Sequence, residues 1–236
     1  MFGRERRVSK VIKAVIFDLD DTLISERKYI ESGYKHIASL LNFQGIGTQD
    51  NLYNMLLNLF EESPVNVFNR LFESLNLSYT ASDIRELVNE YRNHFPTINF
   101  FDDVVPCLNE LKKKGFKLGI ITDGYASSQK AKLSSLSAGT YFNEIIVTDE
   151  LGREYWKPHQ KPFEIIREKL QVDYEEMIYI GDNPEKDFYI SNIYPIKTIR
   201  IDRQGVYRDR EYMKGIREHY AIKDLDSFLM LLDNWD

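Results

Sequence analysis

Cysteine is almost missing from this chain of 236 residues, and long apolar runs are missing entirely. The one cysteine, Cys107, allows no internal disulfide and no cysteine-rich zinc site. No stretch approaches the ~20 consecutive apolar residues of a membrane-spanning helix. The apolar run at residues 15–17 ends at once in acidic residues, unlike the core of a signal peptide. We therefore expect a cytoplasmic protein with no membrane partner.

An excess of positive charge is also missing. The formal net charge is −6 and the calculated pI is near 5.4, which argues against a nucleic-acid polymer as partner. Hydrophobic residues make up 43% of the chain and charged residues 29%, as in ordinary globular proteins. The length exceeds the ~100–150 residues of a typical domain, so it fits an α/β domain with an insertion or two small domains.

Five short apolar runs rich in β-branched residues have the length of strands that are buried on both faces. They lie at residues 14–17, 117–121, 144–147, 177–180 and 197–201. Helical patterns separate the later runs, and this alternation is typical of βαβ units. The sequence therefore predicts an α/β fold with a parallel sheet.

Residues 26–96 lack strand-like alternation and show four amphipathic helical patterns instead. Gly45, Gly47 and Pro64 fall between these patterns as helix breakers. We therefore predict an all-helical insertion at 26–96, and a core domain formed by residues 1–25 and 97–236.

Carboxylates follow two of the predicted strands. Asp18, Asp20 and Asp21 come directly after the first strand, and Asp182 and Asp187 follow the fourth. Carboxyl ends of parallel strands meet at one edge of a sheet, where ligand sites form. Crowded carboxylates repel one another unless a cation or a shared proton is present. Because oxygen ligands suit Mg²⁺, we expect a magnesium site at this edge.

Four short motifs occur in a fixed order along the chain. They are Asp18-Leu19-Asp20-Asp21-Thr22, Ile121-Thr122-Asp123-Gly124, Lys157-Pro158, and Gly181-Asp182 with Asp187. With these motifs the sequence resembles the haloacid dehalogenase-like superfamily over nearly its whole length. The resemblance implies a Rossmann-like parallel sheet core, and the helical insertion resembles the C1-type cap of that family.

The resemblance also implies roles for the acidic residues. Asp18 would be the nucleophile that forms an aspartyl-phosphate, and Asp20 would be the general acid and base. Asp18, the backbone carbonyl of Asp20 and Asp182 would hold Mg²⁺. Asp187 would lie behind these ligands or reach the ion through water.

By the same resemblance, Thr122, the backbone N–H of Asp123 and Lys157 would bind the phosphoryl group. Lys161 is the alternative to Lys157, because it also precedes a proline. We choose Lys157, since Phe163 follows it at the spacing of the family pattern. Gln160 stands where that pattern commonly has proline, which weakens the local match.

The expected function is Mg²⁺-dependent hydrolysis of a small phosphorylated metabolite, such as a sugar phosphate or a nucleotide. A phosphomutase of the same fold would use the same residues. A dehalogenase does not need an acid at the position of Asp20, because no leaving alcohol takes up a proton. A non-catalytic binding protein would have no need to retain the whole set of site residues.

Two smaller questions stay open at this point. His159 lies beside Lys157, where a surface-loop residue is the simpler interpretation than a contact with substrate. Residues 201–219, with Arg203, Arg208 and Arg210, either fold over the site or lead into the last strand and helix. We favour the second arrangement.

Overall fold

The computed structural model describes residues 11–203, 207 and 209–235, so Arg208 lies outside the described residues. The strands are β1 (Ala14–Phe17), β2 (Lys117–Thr122), β3 (Glu144–Val147), β4 (Met177–Gly181), β5 (Lys197–Ile201) and β6 (Tyr220–Ile222). The helices are α1 (Glu26–Phe43), α2 (Gln49–Glu62), α3 (Val67–Ser74), α4 (Ala81–Asn93), α5 (Val104–Lys113), α6 (Ala126–Ser135), α7 (Lys161–Leu170) and α8 (Leu225–Asp233).

The strands form one sheet in the order β3-β2-β1-β4-β5-β6, and every neighbouring pair is parallel. The predicted α/β fold is therefore confirmed. All four residues of β1 are buried, as expected for a central strand covered on both faces. In register, Phe17 lies opposite Ile120 of β2 and Ile180 of β4, so these three strands end side by side.

The chain forms two compact units. The sheet unit contains the described residues up to Ile24, Phe100–Gly124 and those from Ser137 onward. The helical unit contains Ser25–Asn99 and Tyr125–Leu136, so α6 belongs to it together with α1–α4. No helix among the described residues is long and apolar enough to cross a membrane.

One face of the sheet unit is closed by α7. Phe163 and Ile166 of this helix are fully buried against residues such as Ala14 of β1 and Tyr179 of β4. Gly119 permits the close approach of α7 to β2, because a Cβ at this position would lie 2.6 Å from Ile166 Cδ1. Burial of this kind fixes the strand ends that carry the predicted site.

The helical unit has its own core. Ile37 and Leu41 of α1 pack with Leu56 of α2 and Leu71 of α3, and all four are buried. A Cβ at Gly33 would lie 2.3 Å from the ring of Tyr91, so glycine lets α1 approach α4 closely.

Candidate active site

The candidate site lies in the sheet unit, where β2, β1 and β4 end next to one another. Asp18 follows β1 directly, and its backbone N–H donates to the carbonyl of Ile180 at 2.8 Å. Thr122 is the last residue of β2, and Asp182 follows β4. The order of the strands thus brings together three of the four motifs found in the sequence.

Asp18 and Lys157 form a buried ion pair at this edge. Lys157 Nζ lies 2.9 Å from Asp18 Oδ1, and the lysine side chain is fully buried. The N–H of Leu19 donates to the same oxygen at 2.8 Å. Burial raises the pKa of Asp18 to about 6, although the Lys157 ammonium opposes that shift. The Asp18 carboxyl is therefore mostly ionised at pH 7.

The Lys157 ammonium has three acceptors. Besides Asp18, it donates to Asp187 Oδ1 at 2.9 Å and to the Tyr179 hydroxyl at 2.8 Å. Burial alone would lower the pKa of Lys157, but the neighbouring carboxylates raise it above its ordinary value. The group therefore stays charged, and its three N–H bonds all point at protein atoms.

Asp187 is fully buried, and both of its oxygens are engaged by protein donors. Oδ1 accepts from Lys157 and from the Tyr179 hydroxyl, which donates at 3.1 Å. Oδ2 accepts from the N–H of Asn183 at 2.9 Å. A Cβ at Gly181 would lie 2.5 Å from Oδ2, so glycine is required where the loop folds Asp187 beneath the strand end.

Asp182 is the carboxylate with the least compensation. Its Oδ1 accepts only a long hydrogen bond of 3.4 Å from the Thr22 hydroxyl, and its Oδ2 is buried without a hydrogen-bond partner. Burial, followed by repulsion from Asp187 and Asp18, raises the pKa of Asp182 to about 9. Such an environment disfavours a bare carboxylate and favours one that binds a cation.

The donor set fits a hard divalent cation. Ligand atoms of Asp18, Asp182 and Asp187 lie within 4.8 Å of one another, and all three residues are buried. Carboxylate oxygens are the ligands that Mg²⁺ prefers. Because both Asp187 oxygens already accept hydrogen bonds, Asp18 and Asp182 are the more available of the three.

The end of β2 contributes Thr122 and Asp123. Thr122 is fully buried, and its carbonyl accepts from the Thr148 hydroxyl at 3.2 Å. Asp123 Oδ1 accepts from the same hydroxyl at 2.8 Å and from the N–H of Lys157 at 3.1 Å. Asp123 Oδ2 accepts from Lys186 Nζ at 3.0 Å. The Asp123 side chain thus joins three loops of the site.

Not every candidate residue lies in this buried cluster. Asp20 is partly exposed in the turn after β1. Lys161 begins α7 with a half-exposed side chain, 3.7 Å from Glu164, so the structure places Lys157 and not Lys161 beside Asp18. His159 is exposed and packs edge-on against Tyr155, as expected of a surface-loop residue.

The described part of residues 201–219 does more than connect β5 to β6. Arg203 donates from Nε to the Thr22 carbonyl at 3.2 Å, and from both terminal nitrogens to Asp103 at 2.8 and 3.0 Å. The N–H of Met213 donates to the Pro184 carbonyl at 3.1 Å. This segment therefore contacts the loops after β1 and β4, a role that the favoured interpretation of the sequence left out.

Sequence reasoning also missed Tyr179 and Lys186. Tyr179 lies in the apolar run of β4, where its hydroxyl was the one polar signal. Lys186 lies between two acids of the last motif, a position where a lysine is easily taken for a solvated surface residue.

The sequence is similar to those of known proteins over most of its length. The family model described as haloacid dehalogenase-like hydrolase matches residues 15–201. A glyceraldehyde 3-phosphate phosphatase of Methanopyrus kandleri is 33% identical over 208 residues, covering 85% of this chain and 88% of the relative. The pyrophosphatase PpaX of Bacillus mycoides is 25% identical over 229 residues, covering 94% and 97%.

The fold is also similar to that of a solved structure. The HAD phosphatase from Thermococcus onnurineus matches with a TM-score of 0.60 and 26% identity, covering 94% of this chain and 98% of that one. The family match, the shared fold and the placement of the four motifs agree with one another. The chain therefore belongs to the haloacid dehalogenase-like hydrolase family.

Proposed function

We propose that this protein is a Mg²⁺-dependent phosphatase that hydrolyses a small phosphorylated metabolite. The observation that carries the proposal is the buried ion pair of Asp18 with Lys157, next to the uncompensated carboxylate of Asp182. Relatives named for glyceraldehyde 3-phosphate and pyrophosphate hydrolysis support a small phosphorylated substrate. A phosphatase needs an ionised nucleophile, a cation site and fixed positive charge, and these residues supply all three.

Asp18 is proposed as the nucleophile. One of its oxygens is fixed by Leu19 N–H and Lys157, and among the described residues the other oxygen accepts no hydrogen bond. Attack on phosphorus forms an Asp18–phosphoryl bond as the ester P–O bond breaks. A fixed and mostly ionised carboxylate meets the requirement of this step without a separate base.

Asp20 is proposed as the general acid and base. It gives its proton to the leaving oxygen in the first step. In the second step it takes a proton from the water that attacks phosphorus, and the bond from Asp18 to phosphorus breaks. Its place in the turn, two residues after Asp18, keeps it outside the buried cluster and partly exposed.

We propose that Asp18, the backbone carbonyl of Asp20 and Asp182 hold the magnesium ion. When bound, the ion supplies positive charge that offsets the carboxylates and the phosphoryl oxygens. Asp187 lies behind these ligands, because its hydrogen bonds hold Lys157, Tyr179 and the loop at Asn183. Thr122 and the N–H of Asp123 are proposed to bind phosphoryl oxygens.

The remaining predictions concern the setting of the reaction. The assignment of residues 26–96 as a C1-type cap stays a prediction, and so does the cytoplasmic location. A sugar phosphate or a nucleotide stays the predicted substrate class.

The test is phosphate release from p-nitrophenyl phosphate, with and without Mg²⁺, followed by a panel that includes glyceraldehyde 3-phosphate and pyrophosphate. We expect release that requires Mg²⁺ and is lost in Asp18→Asn. Asp102→Asn is the matched control, because Asp102 is an exposed aspartate of the same unit. A folded protein that releases no phosphate but rearranges a sugar phosphate would instead be the phosphomutase.

A further inference from the structure

Lys186 is a second lysine of the candidate site, and the proposed mechanism leaves it without a role. It lies in the loop after β4, one residue before Asp187. Its Nζ is 3.0 Å from Asp123 Oδ2, and its side chain is 26% exposed. The lysine therefore connects the last motif to the end of β2 while keeping access to solvent.

Asp123, the ion-pair partner of Lys186, is itself held in place by hydrogen bonds. Its other oxygen accepts from the Thr148 hydroxyl and from the N–H of Lys157, so the carboxylate cannot rotate without losing hydrogen bonds. Burial would raise the pKa of Asp123, but the positive charges of Lys157 and Lys186 hold it below its ordinary value. The Asp123 carboxylate is therefore charged at neutral pH and fixes the Lys186 ammonium.

The two lysines differ in how many of their N–H bonds are used. A lysine ammonium has three N–H donors. Lys157 donates to Asp18, Asp187 and Tyr179, which uses all three. In the part of the chain that the structure describes, Lys186 has Asp123 as its one acceptor. Two N–H bonds of Lys186 are thus available to a ligand, whereas Lys157 would first have to release a protein acceptor.

The position of Lys186 indicates which ligand it takes. Burial raises the pKa of Asp18, and the positive charge of Lys186 is one of those that oppose this rise, so Lys186 lies within electrostatic reach of the proposed nucleophile. It is bound to Asp123, whose own N–H is proposed to bind a phosphoryl oxygen. A phosphate dianion that approaches several carboxylates needs a positively charged donor that is not already in use.

We propose that Lys186 binds an oxygen of the phosphoryl group and that Asp123 is its positioning residue. The inference rests on the proposed function and adds a second positively charged side chain, beside Lys157, to the phosphoryl site. Lys157 fixes Asp18 and Asp187 and stays the positive charge proposed for the phosphoryl group, and Lys186 adds a second charged contact with that group. The affinity for any substrate or inhibitor that carries a phosphoryl dianion should therefore depend on Lys186, whatever the rest of the ligand is.

The test compares Lys186→Met, Lys186→Arg and Asp123→Asn with the control Lys169→Met. Lys169 also has a single carboxylate partner at 3.0 Å, Glu144, but its half-exposed side chain lies on α7. The readouts are KM and kcat for p-nitrophenyl phosphate, the inhibition constant of inorganic phosphate, and the melting temperature, all with Mg²⁺.

We expect Lys186→Met to raise both KM and the phosphate inhibition constant by about tenfold or more, the effect of one lost charged hydrogen bond. Lys186→Arg should restore most of the affinity, because it keeps the charge. Asp123→Asn should weaken phosphate binding to a smaller extent, and Lys169→Met should leave both constants unchanged. A phosphate affinity in Lys186→Met equal to that of Lys169→Met would overturn the proposal.

A binding measurement separates this inference from the proposed function. Inorganic phosphate is titrated into the wild type and Lys186→Met by calorimetry, with Mg²⁺ present and no turnover required. If the wild type hydrolyses no phosphomonoester but binds phosphate through Lys186, the inference stands and the proposed function fails. If the wild type binds no phosphate, or if both proteins bind it equally, the inference is overturned.

Discussion

Among single residues, Lys157 occupies the most constrained position of the candidate site. Its buried ammonium holds Asp18, Asp187 and Tyr179 with three hydrogen bonds of 2.8–2.9 Å. Removing it leaves two buried carboxylates without their counter-ion, which raises the free energy of the folded state and misplaces the nucleophile.

We therefore expect Lys157→Ala to reduce kcat by about 10²–10³-fold, the cost of losing a fixed charge in an active site. Lys161→Ala should have almost no effect on kcat. The Lys161 side chain is half exposed, and its ion-pair contact with Glu164 is long, at 3.7 Å. Steady-state kinetics on the two purified variants tests this pair. The reverse order of activities would show that the wrong lysine has been assigned.

Asp182 gives a second prediction for a single residue, because its ionised carboxylate is destabilised in the folded protein when no cation is bound. Its pKa is raised to about 9 in the fold, so the folded state holds a proton that the unfolded chain releases near pH 4. Without a cation, stability is therefore lost as the pH rises from about 4 towards 9. Bound Mg²⁺ should reverse this loss.

The corresponding experiment is a series of melting temperatures at pH 6 and pH 8, with Mg²⁺ or with EDTA. We expect Mg²⁺ to raise the melting temperature more at pH 8, where protons compete less for Asp182. Asp182→Asn should abolish the Mg²⁺ effect and should stabilise the metal-free protein at pH 8, because asparagine does not have to take up a proton when the chain folds. An unchanged Mg²⁺ response in Asp182→Asn would contradict the assignment of this ligand.

The predictability of the site also differs from residue to residue. Asp18, Asp182 and Asp187 could be predicted because strand ends of a parallel sheet converge, so their spacing in sequence carries geometric information. Tyr179 could not, since a tyrosine in an apolar strand carries no sign that its hydroxyl meets a lysine. Lys186 could not either, because only the hydrogen-bond count distinguishes it from a surface lysine.

At the scale of secondary-structure elements, the helical unit contains a buried histidine that the mechanism does not use. His94 follows α4, and its Nδ1 is 2.6 Å from the Tyr91 carbonyl while its Nε2 is 3.2 Å from the Ser32 hydroxyl. A neutral ring with its proton on Nδ1 satisfies both contacts. Burial first, and then the charges of His36 and Lys132, lower the pKa of His94.

The burial of His94 makes the stability of the helical unit depend on pH. Because the pKa of His94 is lower in the folded state, the unfolded chain binds the proton more readily. Stability should therefore fall as the pH drops below about 6.5, the ordinary histidine value. Urea unfolding from pH 8 to pH 5.5 measures the slope, and His94→Gln should make it shallower.

The control for this experiment is His159→Gln, which changes an exposed histidine outside the helical unit. It should leave the slope as in the wild type. Equal slopes in His94→Gln and in the wild type would show that other groups control the acid stability.

Elements with strong hydrophobic patterns were predicted well, and those without them were not. The five predicted strands match β1–β5 to within a residue at each end, because buried parallel strands read as continuous apolar runs. No apolar pattern marked α6, whose sequence is mostly Ser, Lys and Ala. The last strand, which was expected after residue 219, has no apolar pattern of its own either, since β6 has three residues and only Ile222 is buried.

At the scale of the whole molecule, Arg203 connects the C-terminal part of the sheet unit to the turn after β1. Its guanidinium binds Asp103 in a bidentate manner, and both side chains are only 11–12% exposed. The same Asp103 accepts from the N–H of Leu225 at the start of α8, and Arg203 donates to the Thr22 carbonyl. Four segments of the chain, at Thr22, Asp103, Arg203 and Leu225, thus meet at one ion pair.

We expect Arg203→Met to lower the free energy of unfolding by about 3 kcal/mol, because the mostly buried Asp103 side chain loses its ion-pair partner. The double variant Arg203→Met/Asp103→Asn should lose less than the sum of the single variants, which urea unfolding can measure. Arg210→Met is the control. Its guanidinium is exposed and 3.9 Å from Glu185, so a change below about 0.5 kcal/mol is expected. Additive losses would contradict a specific coupling.

In the proposed reaction, Asp18 carries the phosphoryl group during turnover. The direct measurement uses Asp20→Asn with p-nitrophenyl phosphate and Mg²⁺, quenched rapidly in acid and analysed by intact mass and peptide mapping. The leaving group needs no proton, so the first step proceeds, while hydrolysis of the intermediate lacks its base. We expect one phosphoryl group on the peptide that contains Asp18, and none when Asp18→Asn is added. Turnover without any adduct, continuing in Asp18→Asn alone, would contradict this role of Asp18.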